Sequence, residues 1–147
     1  RRPTADDQTG DYGSGIVEAA WSASPRTRLS GAFLFETVNA KRGYWDRTTF
    51  GGQIAVARAF APIAGHTSWL GRLTATYRRS DYDAPDPLVD PVRKRNEDRF
   101  EIEAGLSIPL TARLAMELRA AQTWNKANLP NYDYNNTLGS AGLSYRF

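Results

Sequence analysis

A strict alternation of apolar and polar residues in the second half of the chain limits its fold more than any other feature. Between residues 99 and 110, six apolar residues share one parity: Phe100, Ile102, Ala104, Leu106, Ile108 and Leu110. Charged or small residues occupy the other parity. Because successive side chains of a strand point to opposite faces, this period of two predicts a β-strand with one apolar and one polar face.

The same pattern recurs along most of the chain and predicts about seven strands. Only Arg58 and Gln122 interrupt the apolar parities. The predicted strands cover residues 15–24, 28–38, 48–61, 68–80, 99–110, 112–124 and 136–147. The fold class is therefore predicted to be all-β, with antiparallel neighbouring strands.

The predicted connections alternate between short turns and long polar loops. Short turns follow the first, third and fifth strands, and long loops follow the second, fourth and sixth, at residues 39–47, 81–98 and 125–133. Outer-membrane barrels have short periplasmic turns and longer extracellular loops. The alternation favours the wall of a transmembrane β-barrel over a soluble sheet whose apolar face is a core.

Composition excludes several other classes of protein. No run of 18 residues is free of charge, so neither a transmembrane helix nor a secretory signal is indicated. The chain has 0 Cys, which excludes a disulfide scaffold. Its net charge of +3 comes from scattered basic residues and does not indicate a nucleic-acid partner.

Large aromatic residues stand near the ends of the predicted strands, as in the girdles of membrane barrels. The girdle is predicted from Trp21, Trp69, Tyr77, Trp124 and Tyr145. From Trp69 to Tyr77, a strand would extend about 26 Å, close to the height of the apolar band of such barrels.

The residues on the polar parities are predicted to line a lumen. They are Glu18, Glu36, Gln53, Arg72, Thr74, Thr76, Arg78, Arg99, Glu101, Glu103, Arg113, Glu117, Arg119 and Arg146. Opposite charges on neighbouring strands can pair, for example Arg72 or Arg78 with Glu101 or Glu103, and these with Arg119. Because both signs alternate, we favour a mutually neutralising wall over a filter for an anionic or polar passenger.

Enzymatic chemistry is not indicated by these residues. His66 is the one histidine and falls in a predicted short turn, with no nucleophile at a recognisable spacing. Four acidic residues could offer oxygen ligands to Ca²⁺ but match no calcium loop: Asp81, Asp83, Asp86 and Asp90. No glycine-rich phosphate loop is present. We therefore expect no catalytic residue, cofactor or bound metal.

Two sets of residues resemble known outer-membrane proteins. The end of the chain, Leu143-Ser144-Tyr145-Arg146-Phe147, resembles the C-terminal assembly signal of Gram-negative barrels, carried by Leu143, Tyr145 and Phe147. Residues 77–147 resemble the surface lipoprotein assembly modifier family and related exopolysaccharide-associated barrels. Three stretches carry this second resemblance: Tyr82-Asp83-Ala84-Pro85-Asp86, residues 93–99 and residues 128–136.

The resemblance implies a location in the cell outer membrane and a role in export. The expected partners are outer-membrane lipid, lipopolysaccharide and the barrel assembly machinery. The expected function is a passage or assembly platform for a macromolecule, with lipoprotein or protein translocation favoured. Polysaccharide export, a solute porin and a structural or adhesive barrel remain alternatives.

The parity of the strand count predicts that these strands are part of a larger barrel. In such barrels the last strand ends in the periplasm, so the first of seven strands begins outside the cell. Residues 1–13 are then an extracellular loop or N-terminal tail, and residues 14–147 the barrel segment. Bacterial barrels have an even strand number, and an unpaired edge is costly in lipid. We therefore predict that the first strand pairs with a strand outside this chain, from the same precursor or a partner, in a barrel of more than eight strands.

Overall fold

The computed structural model describes residues 9–62 and 68–146 as a single antiparallel sheet of seven strands in sequence order. The strands are β1 Gly10–Ser24, β2 Thr27–Ala40, β3 Arg47–Phe60, β4 Trp69–Pro85, β5 Lys94–Pro109, β6 Leu114–Ala127 and β7 Tyr134–Tyr145. Two 3₁₀ turns lie in long connections, Gly43–Trp45 and Pro130–Tyr132. No helix among the described residues has the length and apolar character needed to cross a membrane. The predicted all-β, antiparallel fold is confirmed.

The strands extend further towards the long loops than the sequence pattern predicted. β1 begins at Gly10, so residues 10–13 are strand and not loop or tail, while residues 1–8 lie outside the described part. β4 continues to Pro85 and β5 starts at Lys94, which leaves residues 86–93 of the long loop predicted at 81–98. The ladder continues here although both faces have become polar, because backbone pairing does not require an apolar face.

At the opposite end the strands differ from the prediction by at most two residues. β6 begins at Leu114 instead of residue 112, because the Thr111 hydroxyl accepts hydrogen bonds from the backbone N–H groups of Arg113 and Leu114, at 3.2 and 3.0 Å. Local bonds of this kind favour a turn over a strand. β7 ends at Tyr145.

The strand register brings every predicted apolar parity to one side of the sheet. Residues directly opposite each other in neighbouring strands share a face. One such row runs across all seven strands and consists of Trp21, Leu29, Val56, Leu73, Ala104, Ala120 and Gly139. We name this side the apolar face and the opposite side the polar face.

Burial is inverted relative to a soluble sheet protein. On the apolar face Val17 and Ile54 are 73% and 69% exposed. On the polar face Thr49, Thr74 and Thr123 are buried. The buried residues of the strands therefore lie on the polar side of the sheet, whereas a soluble protein buries its apolar side.

The two polar residues that interrupt the apolar parity, Arg58 and Gln122, each contact a neighbouring side chain on the apolar face. The Arg58 guanidinium lies 5.7 Å from the centre of the Phe60 ring, near the short-turn end. Gln122 accepts a hydrogen bond from the hydroxyl of Thr137, its direct neighbour on β7. Each exception thus has a local partner.

β1 and β7 form the two open edges of the sheet. Among the described residues β1 pairs only with β2, β7 pairs only with β6, and the sheet is not closed. All 12 residues of β7 are exposed. Since five antiparallel strands lie between them, β1 and β7 run in the same direction. As expected, they do not pair with each other in the described chain.

Gly51 gives a stability test of the sheet because β4 approaches it closely. A Cβ at this position would collide with the Tyr77 carbonyl oxygen and lie 3.0 Å from Arg78 Cγ. We expect Gly51→Ala to lower the free energy of unfolding by about 1–2 kcal/mol through overpacking. Gly105 is the matched control, since nothing lies within 4 Å of its added Cβ. Gly105→Ala should be neutral or raise it by about 0.5 kcal/mol. Equal urea midpoints for the two variants would contradict this packing.

Candidate functional site on the polar face and in the long loops

The structure places the predicted polar-parity residues together on one face. Of the fourteen, twelve lie within strands, and the register puts them all on the polar face: Glu18, Glu36, Gln53, Arg72, Thr74, Thr76, Arg78, Arg99, Glu101, Glu103, Glu117 and Arg119. Arg113 and Arg146 lie just outside β6 and β7, where Arg146 N donates to Arg113 O at 2.8 Å. Their lining of a lumen stays a prediction.

Hydrogen bonds across strands also connect uncharged residues of this face with their neighbours. Gln53 Nε2 donates to Thr76 Oγ1 at 3.1 Å, between β3 and β4. The Ser107 hydroxyl donates to Glu117 Oε1 at 2.7 Å, between β5 and β6. Such pairs satisfy polar groups that the sheet partly shields from water.

The charges pair differently from the sequence expectation. Arg119 pairs with Glu103 across β5 and β6, as expected. Glu101 instead pairs with Arg99 of its own strand, at 2.9 Å. Arg72 forms no ion pair within the described chain, and its Nε donates to Thr74 Oγ1 at 3.3 Å.

Arg78 is also without an ion pair in the described part of the chain. It lies directly opposite Arg99, an arrangement of like charges that is unfavourable in a sheet. Its other cross-strand neighbour is Gly51, whose missing side chain leaves room for the Arg78 stem. Arg99 is held by Glu101, so the two guanidiniums are not forced together.

A second cluster, which the sequence analysis did not identify, surrounds Arg95 at the long-loop end. Its guanidinium lies 3.6 Å from the Tyr82 ring centre, 4.1 Å from Tyr132 and 5.5 Å from Trp45. Arg95 Nε lies 3.2 Å from Glu97 Oε1, although the angle is poor for a hydrogen bond. Arg95 is only 6% exposed. We name Trp45, Tyr82, Arg95 and Tyr132 the arginine cage.

The arginine cage joins the three long connections. Trp45 belongs to the connection after β2, Tyr132 to the one after β6, and Tyr82 and Arg95 to the hairpin of β4 and β5. Asn128 strengthens the link, because its side chain accepts from Asn96 N at 2.9 Å and donates to Lys94 O at 2.7 Å. Asp83 N also donates to Asp46 O at 3.0 Å. The long loops therefore form one connected layer.

The four aspartates considered for Ca²⁺ do not converge on a common point. Asp81 pairs with Arg79 at 3.4 Å. Asp86 Oδ1 accepts from Leu88 N at 2.9 Å. Asp90 accepts from the backbone N–H groups of Val92 and Arg93, which lowers the pKa of its carboxyl. Among the described residues no group of three or more His, Cys, Asp or Glu side chains could hold a metal ion.

The predicted girdle residues all lie on the apolar face, towards its two ends. At the long-loop end Tyr77, Phe100 and Trp124 are direct cross-strand neighbours, and the rings of Phe100 and Trp124 are 5.7 Å apart. At the short-turn end Trp69 stacks on Phe60 with ring centres 4.1 Å apart.

The aromatic boundary at the short-turn end runs obliquely to the strands. The row of Trp21 reaches β7 at Gly139, yet Tyr145 lies six positions beyond that residue. Six residues of about 3.3 Å over six strand spacings of about 4.8 Å correspond to a tilt of about 35°. The row of Trp21 crosses β4 at Leu73. Trp69 lies four positions from Leu73, also towards the short-turn end.

Two of the three residues of the predicted assembly signal lie within the described chain, and their role stays a prediction. Leu143 and Tyr145 of the assembly signal lie on the apolar face of β7 and are exposed. Phe147 and His66 lie outside the described residues.

Comparison with known proteins finds no matching family model, no matching curated protein and no matching solved structure. The class defined by the fold is thus an all-β protein with a seven-stranded antiparallel sheet. The sheet has one apolar and one polar face.

Proposed function

We propose that this chain forms part of the wall of a β-barrel in the bacterial outer membrane. Its apolar face would contact lipid and its polar face would line a water-filled passage. The observation that carries the proposal is the inverted burial, in which large side chains of the apolar face are exposed while the buried residues of the strands lie on the polar face. Only a bilayer or a large partner surface makes such exposure favourable.

The oblique aromatic boundary supports the same proposal. Strands of transmembrane barrels are tilted by about 35–45°. The drift of about 35° between Trp21 and Tyr145 at the short-turn end falls in that range. At the long-loop end Tyr77, Phe100 and Trp124 lie on one cross-strand row and show no drift. Trp and Tyr favour the interface between lipid and water, since one end of each ring system is apolar and the other is polar.

The barrel would be completed by strands that pair with β1 and β7. Because these two edges run in the same direction, antiparallel closure requires an odd number of additional strands, from the same precursor or from a partner chain. In hydrocarbon each unpaired backbone group of an open edge costs several kcal/mol.

The role proposed for this barrel is a passage or assembly platform for export of a macromolecule, without chemistry of its own. Lipoprotein or protein translocation rests on the resemblance of residues 77–147 to the surface lipoprotein assembly modifier family. The partners would be outer-membrane lipid, lipopolysaccharide, the barrel assembly machinery and the missing strands.

Tryptophan quenching by brominated lipids tests the membrane placement directly. Single-tryptophan variants, with the other tryptophans changed to Phe, would retain Trp69, Trp124 or Trp45. Trp69 and Trp124 lie on the apolar face, whereas Trp45 packs in the arginine cage. We expect bromine on the acyl chains to quench Trp69 and Trp124 strongly and Trp45 weakly, because quenching requires contact with lipid.

Equal, weak quenching of all three variants would overturn the proposal. Trp45 is an internal control because it does not lie on the apolar face. Its quenching measures the effect of vesicle association alone, without direct contact between the tryptophan and the lipid acyl chains. A soluble protein whose apolar face is covered by another protein would give weak quenching at every position.

A further inference from the structure

Three arginines occupy one cross-strand row of the polar face, on alternate strands. Arg28 of β2, Arg72 of β4 and Arg119 of β6 lie on the same cross-strand row. The row continues through the small residues Ser22, Ala57, Gly105 and Ser140 on the strands between and beside them. We name Arg28, Arg72 and Arg119 the arginine row.

The small residues leave open slots between the arginines. Alternate strands of a sheet are about 10 Å apart. Between Arg72 and Arg119 the floor is Gly105, where a Cβ would meet nothing within 4 Å. A cavity of about 440 Å³ lies here and is lined by all three residues together with Glu103 and Glu117. A slot of this size has room for a phosphate, sulfate or carboxylate group.

Most donors of the arginine row are uncommitted. In the described chain only Arg119 has an acidic partner, Glu103, while Arg28 has no polar contact. Arg72 donates one bond to the Thr74 hydroxyl. Glu117 accepts a hydrogen bond from Ser107, and no arginine of the described chain lies within ion-pair distance of it. A guanidinium has five N–H donors, so Arg28 and Arg72 retain most of theirs for a ligand.

We propose that the arginine row binds oxyanion groups of the passenger, which makes the exported molecule an anionic one. This inference rests on the proposed passage. Guanidiniums bind phosphate and carboxylate through paired, charge-assisted hydrogen bonds, and rings of Arg or Lys select anions in pores. A neutralising wall would instead pair each arginine with a carboxylate, as Arg119 and Glu103 do.

The test uses the complete barrel, with the strands that pair with β1 and β7 present, in detergent and in planar bilayers, with tripolyphosphate as the probe. The variant is the double substitution Arg28→Gln, Arg72→Gln, because these two guanidiniums have no acidic partner in the described chain. Arg58→Gln is the matched control, since it removes one arginine from the apolar face. Calorimetry measures tripolyphosphate binding, and the reversal potential in a salt gradient measures ion selectivity.

We expect the unmodified protein and the control to be anion-selective, and the double variant to lose that selectivity and at least tenfold in tripolyphosphate affinity. A conducting protein whose selectivity and affinity do not change in the double variant would overturn the arginine row while leaving the passage intact. A protein that does not conduct would overturn the passage. In that case calorimetry still decides whether the row binds the anion, and unchanged affinity would reject it.

Discussion

Replacing Leu106 with arginine is expected to lower the free energy of unfolding in lipid vesicles by about 2–4 kcal/mol. Leu106 lies on the apolar face, between Gly71 of β4 and Leu118 of β6, close to the middle of the band between the aromatic ends. Arginine there must either desolvate its charge in hydrocarbon or distort the bilayer. Leu118→Arg should have an effect of similar size, and urea-dependent folding into vesicles measures both.

Ser107→Arg is the matched control, one residue further along the same strand. Its side chain is on the polar face and bonds to the Glu117 carboxylate, so an arginine would find water and a partner of opposite charge. We expect a loss below about 1 kcal/mol. Equal losses for Leu106→Arg and Ser107→Arg would reject the assignment of faces. A soluble core would also penalise Leu106→Arg, so partition of the unmodified protein into detergent is measured beside it.

The strands were predictable because their side chains alternate, and alternation needs no knowledge of the fold. The assignment of residues to the two faces was also predictable. Parity alone placed Glu101 and Glu103 on the face opposite to Ile102, and the strand register keeps these two faces distinct across the sheet. The ends of β4 and β5 were not predictable. Beyond Tyr77 both parities become polar, as in Arg79 and Asp81, so the pattern disappears while the ladder continues.

Ion pairing was predicted only in part because register and rotamer decide it together. Parity indicated that Arg72 could approach Glu103, but Arg72 bonds Thr74 and Arg119 is the residue that reaches Glu103. The arginine row was also not visible from the sequence. Its three members are separated by more than forty residues in each case, and only the register aligns them.

The arginine cage was missed because its four residues come from three separate connections. One signal was present in the sequence. Tyr82 and Arg95 continue the polar parities of β4 and β5 beyond the predicted strand ends, so a longer hairpin would have placed both on the polar face. Trp45 and Tyr132 are aromatic residues in loops that are mostly polar, which is a sign of local packing.

Replacing Arg95 with alanine is expected to lower the free energy of unfolding by about 3 kcal/mol and to loosen the three long loops. The substitution removes a guanidinium that contacts three rings and leaves Glu97, itself mostly shielded, without its partner. Arg95→Lys should restore only part of the loss, because an ammonium has no planar surface to stack on Tyr82.

Arg93→Ala is the matched control, two residues before Arg95 in the loop that precedes β5. The Arg93 side chain is 72% exposed and lies 3.9 Å from Asp90, so its loss should cost below about 0.5 kcal/mol. Limited proteolysis reads the local effect, since cleavage within the long loops should become faster in Arg95→Ala and stay unchanged in Arg93→Ala. Arg95 contacts rings from all three connections. The same cleavage rate in both variants would therefore mean that the loops are held by Asn128 and the backbone bonds instead.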